Sequence, residues 1–155
     1  MSKQDINLTA YCGLYCGDCI RYKSKATDLA RNLRDELQRT EFAKYAEVKS
    51  SSLNAEKQLK QYGEFLGVLD AIIKLQCKEP CRVIGGCPTF SCRIVDCCKK
   101  KRFEGCWQCV EFEDCNEFES LKPFHSDTPK KNLRKIKELG LEGWAKHRNK
   151  FYIWQ

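Results

Sequence analysis

Cysteine constrains the fold of this chain more than any other residue type. Nine of the twelve cysteines lie between Cys77 and Cys115, and the other three form a knot, Cys12-Gly-Leu-Tyr-Cys16-Gly-Asp-Cys19. The long segment has few apolar residues from which to build a core. We therefore expect disulfides, zinc or an iron–sulfur cluster to hold it in shape. Gly13 and Gly17 each follow a cysteine, where positive φ would aim N–H groups at a thiolate.

The start of the chain bears on which of these three applies. Residues 1–7 are polar and lack the apolar region of a signal peptide. No later run approaches the roughly 18 apolar residues of a membrane span. We therefore expect a cytoplasmic protein without a membrane segment. Thiols stay reduced in the cytoplasm, which favours metal over disulfides, although the even number of cysteines keeps a disulfide framework open.

Two cysteine pairs have the spacing of a zinc knuckle. Cys16/Cys19 and Cys106/Cys109 each place two sulfurs on one tight turn, and a closed structural site needs four. The number of cysteines predicts two or more zinc ions, with the pairing left open. Cys98 directly follows Cys97, so we expect it to be free or packed, and His125 is a possible substitute ligand. The predicted metal ligands are Cys12, Cys16, Cys19, Cys77, Cys81, Cys87, Cys92, Cys97, Cys106, Cys109 and Cys115.

An iron–sulfur cluster is the alternative metal centre, because it uses the same thiolate ligands. The spacing Cys12-x3-Cys16-x2-Cys19 is that of radical S-adenosylmethionine enzymes. Those enzymes need a barrel of alternating strands and helices, and this chain has neither that pattern nor the length for it. The two histidines, His125 and His147, have no catalytic motif around them. The sequence therefore favours a role without catalysis.

Helical periodicity dominates the rest of the chain. Apolar spacings of three and four predict helices over about 18–38, 40–48 and 55–75, capped at Thr40 and Asn54, and we expect these helices to supply the hydrophobic core. Further helices are predicted over 92–102, from Thr128 to a left-handed stop at Gly140, and over 142–152. The prediction is a mainly α single domain, 1–155, with a loop-dominated, metal-stapled half. Its parts are the knot and helices of 12–76, the cysteine-rich segment 77–121 and the helical tail 122–155.

Charge and aromatic residues bear on possible partners. The formal charge is +7, but a zinc ion in four thiolates carries about −2, so metal loading would remove much of it. The basic runs at 99–102 and 130–137 are typical of solvated helix faces. Trp107 is expected to pack rather than to stack on bases. We therefore expect the protein to act through an unknown protein partner, with a nucleic-acid-binding zinc module as a further alternative.

Several stretches together have the pattern of a known family. They are Tyr11-Cys12-Gly13-Leu14-Tyr15-Cys16-Gly17-Asp18-Cys19, Cys92-Arg93-Ile94-Val95-Asp96-Cys97, Cys106-Trp107-Gln108-Cys109 with Cys115, and Leu139-Gly140-Leu141. In these stretches the chain resembles the uncharacterised cysteine-rich family called domain of unknown function 3795. The resemblance implies a small bacterial or archaeal metal-binding protein, often from anaerobes, with no established activity. Cys98 lies outside the family pattern, and the spacing Cys77-x3-Cys81 is wider than the pair expected there.

Overall fold

The computed structural model describes residues 6–22, 24–51, 57–85 and 91–154. The chain divides into two compact units. Residues 1–22 and 77–155 form the cysteine-rich unit, and residues 23–76 form the helical unit. The described chain is mainly helical, as predicted, but the segment 77–121, which was predicted to be dominated by loops, contains helices and 3-10 turns. The predicted segment 12–76 is divided between the two units. Within the described ranges, no helix is long and apolar enough to cross a membrane.

The helical unit follows the predicted helices with shifted ends. Helix α1 is Lys25–Arg39, α2 is Phe42–Ser50, and α3 is Tyr62–Lys74 after a 3-10 turn at Lys57–Gln61. The predicted start at Asp18 was wrong, because Asp18 belongs to a 3-10 turn of the knot. Thr40 closes α1 rather than capping α2, since its hydroxyl donates to the Glu36 carbonyl at 3.0 Å. The predicted cap Asn54 lies outside the described residues.

Little of the apolar surface in the helical unit is buried. The stripe of α1 leaves Leu29 57% and Leu33 45% exposed. The prediction that these helices supply the hydrophobic core was wrong, because periodicity shows that a helix is amphipathic but not that its apolar face is covered. The buried side chains of α1, α2 and α3 are Thr27, Ala30, Ala46 and Leu69.

The cysteine-rich unit contains four helices in its described part. They are α4 (Cys81–Ile84), α5 (Arg93–Lys101), α6 (Lys122–His125) and α7 (Thr128–Gly143). Helix α5 confirms the predicted helix over 92–102, and Gly140 at φ 70° confirms the left-handed stop inside α7. The predicted helix over 142–152 was wrong: a 3-10 turn, Trp144–His147, is followed by extended chain at Arg148. Further 3-10 turns lie at Cys16–Asp18, Cys106–Gln108, Phe112–Asp114 and Asn116–Ser120.

The hydrophobic core lies in the cysteine-rich unit. Leu133 and Trp144 are completely buried at its centre. Trp107, Phe112 and Phe118 come from the cysteine-rich segment and belong to the same core cluster. The segment therefore has aromatic side chains of its own that pack with the tail, although it is poor in aliphatic residues. The expectation that Trp107 packs is confirmed.

Polar contacts fasten the N-terminal segment to the tail. The side-chain amide of Asn132 in α7 donates to the Gly13 carbonyl at 2.9 Å, and its oxygen accepts the Asn149 N–H at 2.7 Å. Trp144 Nε1 donates to the hydroxyl of Thr9 at 3.1 Å. Asn132 and Thr9 are almost completely buried, so both need these partners. The contacts hold the cysteine knot in a fixed position against α7.

The two glycines of the knot have different structural roles. Gly13 has φ 83°, as predicted, and a Cβ there would lie 2.9 Å from the Pro129 carbonyl oxygen. The positive φ predicted for Gly17 was wrong, since Gly17 is absent from the positive-φ glycines of the described chain. It is needed for space instead, because a Cβ there would lie 2.5 Å from the ring of Tyr15.

Candidate metal centre

A cavity of 530 Å³ in the cysteine-rich unit brings together cysteines that are far apart in the sequence. Its lining is mainly apolar, with contributions from Leu14, Ile84 and Ile94. Six of the eleven predicted ligands share this lining. We name it the thiol cavity, and its cysteines are Cys12, Cys16, Cys19, Cys77, Cys81 and Cys92.

Local backbone structure positions the cysteines of the knot. Residues Cys16–Asp18 form a 3-10 turn, closed by a hydrogen bond from the Cys19 N–H to the Cys16 carbonyl at 3.0 Å. The Cys16 N–H in turn donates to the Leu8 carbonyl at 2.7 Å. A tight turn with both ends hydrogen-bonded leaves its two cysteine side chains on the same side of the chain.

The cysteines of the second segment reach the cavity from three different elements. The Cys77 N–H donates to the Arg21 carbonyl at 2.7 Å, so Cys77 lies directly beside the end of the knot. Cys81 is the first residue of α4, after the extended Pro80. Cys92 is the N-cap of α5. The thiol cavity is therefore built from turns and from the first residues of helices. The spacing of the cysteines in the sequence does not show that these positions lie close together in the fold.

Burial raises the pKa of two cysteines in the knot, Cys12 and Cys16. It raises the pKa of Cys12, a backbone hydrogen bond from Leu14 opposes the rise, and negative charge on Cys81 or Cys92 adds to it. Burial also raises the pKa of Cys16, again opposed by a backbone hydrogen bond, here from Cys81. These thiols therefore ionise only when a cation compensates the buried charge.

Arg82 is a positive charge beside the thiol cavity that the sequence analysis did not anticipate. Its guanidinium lies 4.9 Å from the Trp107 ring centroid and 5.5 Å from that of Tyr11. Its Nε donates to the Thr9 carbonyl at 3.0 Å, while its buried Nη2 has no hydrogen-bond partner among the described residues. Burial lowers the pKa of Arg82, and negative charge at Cys81 or Cys98 opposes that effect. The sequence did give one indication that Arg82 lies near the cavity, because Arg82 directly follows the predicted ligand Cys81.

The lining of the thiol cavity does not include four further predicted ligands, Cys97, Cys106, Cys109 and Cys115. Cys106 and Cys109 form a second knuckle with the same 3-10 turn, closed by a hydrogen bond from the Cys109 N–H to the Cys106 carbonyl at 3.0 Å. Lys101 Nζ lies 3.9 Å from Cys109 Sγ. Together with Cys98, the described cysteines outside the cavity lining are named the distal cysteines. They are Cys97, Cys98, Cys106, Cys109 and Cys115.

Cys98 has a partner that the sequence analysis missed. Its Sγ lies 3.6 Å from Cys106 Sγ, and the two side chains are 2% and 9% exposed. The hydrogen bond between them lowers the pKa of Cys98 and raises that of Cys106, and Arg82 and Lys101 add positive charge near Cys98. Cys98 is packed, as one of the two expected alternatives stated. The position of Cys98 next to Cys97 in the sequence gives no indication of this contact, which Cys98 makes with Cys106 across the turn.

Two aromatic residues complete the wall of the thiol cavity near the tail. His125 and Tyr152 both line it, and their ring centroids lie 5.0 Å apart. Burial lowers the pKa of His125 and raises that of Tyr152. His125 shares the lining of the thiol cavity with six cysteines, and its role as a substitute ligand stays a prediction. Tyr152 was placed by the sequence in a helix and could not be assigned to the cavity.

The thiol cavity groups its cysteines around a volume rather than around a point. Among the described residues, no group of three or more His, Cys, Asp or Glu side chains is arranged to hold a metal ion. The predicted ligand Cys87 lies outside the described residues. The cysteines that line the thiol cavity are therefore not arranged as a single-ion site in the described part of the chain.

Comparison with known proteins identifies the family. The family described as "Protein of unknown function (DUF3795)" matches residues 8–120, from the knot through the last of the distal cysteines. No curated protein matched the chain, and no solved structure matched it either. The family description carries no statement about metals. Because the match spans well over half of the sequence, the chain belongs to the DUF3795 family of proteins of unknown function.

Proposed function

We propose that the protein binds metal through cysteine thiolates and that the thiol cavity holds a sulfur-bridged iron cluster. The observation that carries this proposal is the convergence of residues 12–19 and 77–92 on one cavity. A neutral cysteine packs as a small apolar residue. Six of them around an open volume do not pack, however, and protein interiors rarely keep such a void.

The size of the cavity supports a cluster over a single ion at this place. Zinc binds thiolates at about 2.3 Å, which would bring its four sulfurs to about 3.8 Å from one another and leave no open space. The thiol cavity measures 530 Å³, and its ligand-type side chains are not arranged around one ion. A cluster carries several metal atoms and bridging sulfides, so its thiolates stand further apart. Four of the six cysteines would be enough to hold it.

The surrounding residues fit the charge of such a centre. The backbone hydrogen bonds from Leu14 and Cys81 reach the sulfurs of Cys12 and Cys16, where they would stabilise thiolates. Arg82 supplies positive charge toward Cys16. When bound, an iron–sulfur cluster supplies one-electron transfer, so the proposed role is electron transfer or redox sensing.

Structural zinc is the second candidate, and the distal cysteines favour it. Cys106 and Cys109 lie on a closed 3-10 turn, and two sulfurs on one such turn are typical of a zinc knuckle. A zinc ion there would stabilise the segment without offering an open position for chemistry. In that case the protein would act by presenting a surface to a partner. Nucleic-acid binding loses one argument, because Trp107 is buried in the core. The partner and the cytoplasmic location stay predictions.

Metal and sulfide analysis of protein purified without oxygen tests the proposal. Iron with a matching amount of sulfide, in a brown solution that bleaches on reduction, is the expected result. Zinc in a colourless solution would support the second candidate and contradict the cluster. Protein that binds neither metal after reconstitution would contradict both.

Cysteine variants locate the metal. Cys16→Ser and Cys81→Ser remove one cavity thiol from the knot and one from α4, and both variants are expected to lose most of the iron. Cys115→Ser is the matched control, because it removes a partly buried thiol outside the cavity lining. Iron retained in both cavity variants, or lost only in Cys115→Ser, would contradict the assignment to the thiol cavity.

A further inference from the structure

Two thiols outside the lining of the thiol cavity lie in direct contact. Cys98 Sγ and Cys106 Sγ are 3.6 Å apart and buried together in the core cluster. Cys98 lies in α5 and Cys106 begins the following 3-10 turn. The chain reverses between them at Arg102, which has φ 56°, and the Phe103 N–H donates to the Cys98 carbonyl at 2.8 Å. The two sulfurs are therefore held together by a closed backbone turn.

We propose that Cys98 and Cys106 form a redox-active dithiol that a peroxide converts into a disulfide. A disulfide bond is about 2.05 Å long, so the sulfurs must approach by about 1.5 Å. Rotation about the side-chain bonds can supply such a movement, since the backbone turn is already closed. In the proposed reaction Cys98 attacks the peroxide first, and Cys106, whose sulfur lies 3.6 Å away, is the resolving thiol.

The reaction consumes one hydrogen peroxide and releases two waters. The Cys98 thiolate attacks one peroxide oxygen, the O–O bond breaks, and the hydroxide that leaves takes up the thiol proton as water. Cys98 is then a sulfenic acid. The sulfur of Cys106 attacks the sulfur of Cys98, the S–O bond breaks, and the hydroxyl group leaves with the Cys106 proton as the second water. The two thiols lose two electrons in total, and the peroxide gains them.

The disulfide would change the role of the second knuckle. Cys106 is half of the pair Cys106-x2-Cys109, so its oxidation removes a thiolate from that turn. Oxidation would thereby prevent the knuckle from holding a metal through both cysteines.

Peptide mapping after mild oxidation tests the proposal directly. The protein, with its metal content measured, is treated with a slight excess of hydrogen peroxide, alkylated and digested with trypsin without reduction. The run Lys99-Lys100-Lys101-Arg102 lies between the two cysteines, so the disulfide would appear as two tryptic peptides joined to each other. We expect this product in most molecules and its complete loss after treatment with dithiothreitol. Recovery of Cys98 and Cys106 as alkylated thiols would overturn the proposal.

Neighbouring variants separate this pair from other pairings. Cys97→Ser is the matched control and should keep the product, whereas Cys98→Ala should abolish it. In Cys106→Ala the Cys98 sulfenic acid has no partner, so labelling by a dimedone reagent should rise at least about tenfold. A disulfide from Cys97 or Cys109 in place of Cys98 would overturn the proposal. Mapping of the unmodified protein remains decisive even if a variant fails to fold.

The outcome is independent of the iron cluster. The readout is the pairing of two thiols outside the thiol cavity, while the cluster is judged by iron and sulfide. Absence of iron together with the expected disulfide would contradict only the proposed function. Iron together with alkylated Cys98 and Cys106 would contradict only the dithiol.

Discussion

The two units of this protein differ in opposite directions in two properties, the regularity of their helices and the burial of their apolar side chains. The helical unit has regular amphipathic helices, yet it buries few large apolar side chains, and Leu29 and Leu33 stay largely exposed. The cysteine-rich unit is built from short helices and 3-10 turns, yet it encloses the core around Leu133 and Trp144. Regular secondary structure and burial are therefore separate properties, and in this chain they are found in different places.

The comparison also shows what short elements need in order to be stable. Short turns satisfy few backbone hydrogen bonds by themselves, so they rely on side-chain contacts from distant segments. Asn132, Thr9 and Arg148 supply such contacts in the cysteine-rich unit. In the helical unit, polar contacts are mostly local, such as the pair Arg39–Glu36 at 2.6 Å.

The largest expected effect comes from removing core volume. Leu133→Ala deletes a completely buried side chain, and we expect it to lower the free energy of unfolding by about 3 to 5 kcal/mol. Leu33→Ala in α1 is the matched control, expected to cost less than about 1 kcal/mol because Leu33 is largely exposed. Urea unfolding followed by far-ultraviolet circular dichroism reports on the helices of both units and therefore measures both variants. Tryptophan fluorescence then identifies the transition of the cysteine-rich unit, since all three tryptophans lie there. Equal losses in the two variants would remove the contrast between the units.

An intermediate effect is expected at the ion pair between the knot and the tail. Arg148 donates to both carboxylate oxygens of Asp18, at 2.6 and 2.7 Å, and the two side chains are only 20% and 13% exposed. Burial acts to raise the pKa of Asp18, but hydrogen bonds and charge from Arg148 and Lys150 outweigh it and lower the pKa. Asp18 thus contributes stability above its unfolded pKa of about 3.9 and loses it as the pH falls through the lower folded pKa.

Asp18→Asn tests this pair, with an expected loss of about 1 to 3 kcal/mol at neutral pH. The difference from wild type should begin to shrink as the pH falls below about 4, where Asp18 becomes protonated in the unfolded state. It should be lost as the pH falls through the lower pKa of folded Asp18. Glu36→Gln is the control in the helical unit, where the partner Arg39 is fully exposed, and no measurable change is expected. A difference between Asp18→Asn and wild type that stays constant from neutral to acid pH would contradict the role of ionised Asp18.

The smallest expected effect is a change in stability that has opposite signs in the two units. Gly140 has φ 70° and ψ 165°, a region that alanine avoids, so Gly140→Ala should destabilise by about 1 to 2 kcal/mol although its Cβ would meet no neighbour. Gly67 lies inside α3 with open space around it, so Gly67→Ala should stabilise α3 by about 1 kcal/mol. Thermal unfolding followed by circular dichroism measures both. The same sign for the two variants would show that local backbone preference is not what separates them.

Sequence patterns predicted the elements that depend on local signals. The helix from Cys92 and the stop at Gly140 both rest on neighbouring residues, and both are confirmed. The helix over 142–152 failed because Arg148 and Asn149 are bound by Asp18 and Asn132, and these contacts outweigh the local preference. These partners are distant in the sequence, so a rule based on residue spacing cannot include them.

The candidate site was predictable as a set of residues but not as an arrangement. Counting cysteines named Cys12 and Cys77 as ligands, yet nothing in their spacing placed them on one cavity. The same limit applies to Cys98, whose contact with Cys106 depends on the left-handed turn at Arg102. Chain reversals of this kind bring thiols together independently of their separation along the sequence.

The hydrogen bond from Cys77 to Arg21 has a consequence for how the chain tolerates change. Tyr22 and Cys77 also pair as a parallel bridge, so the residues at which the helical unit departs and returns are adjacent. A segment whose two ends already meet can be lengthened, shortened or replaced without altering what lies on either side. The helical unit is in this sense an insertion, and a chain in which a short linker replaces residues 23–76 would still present Cys77 beside the knot.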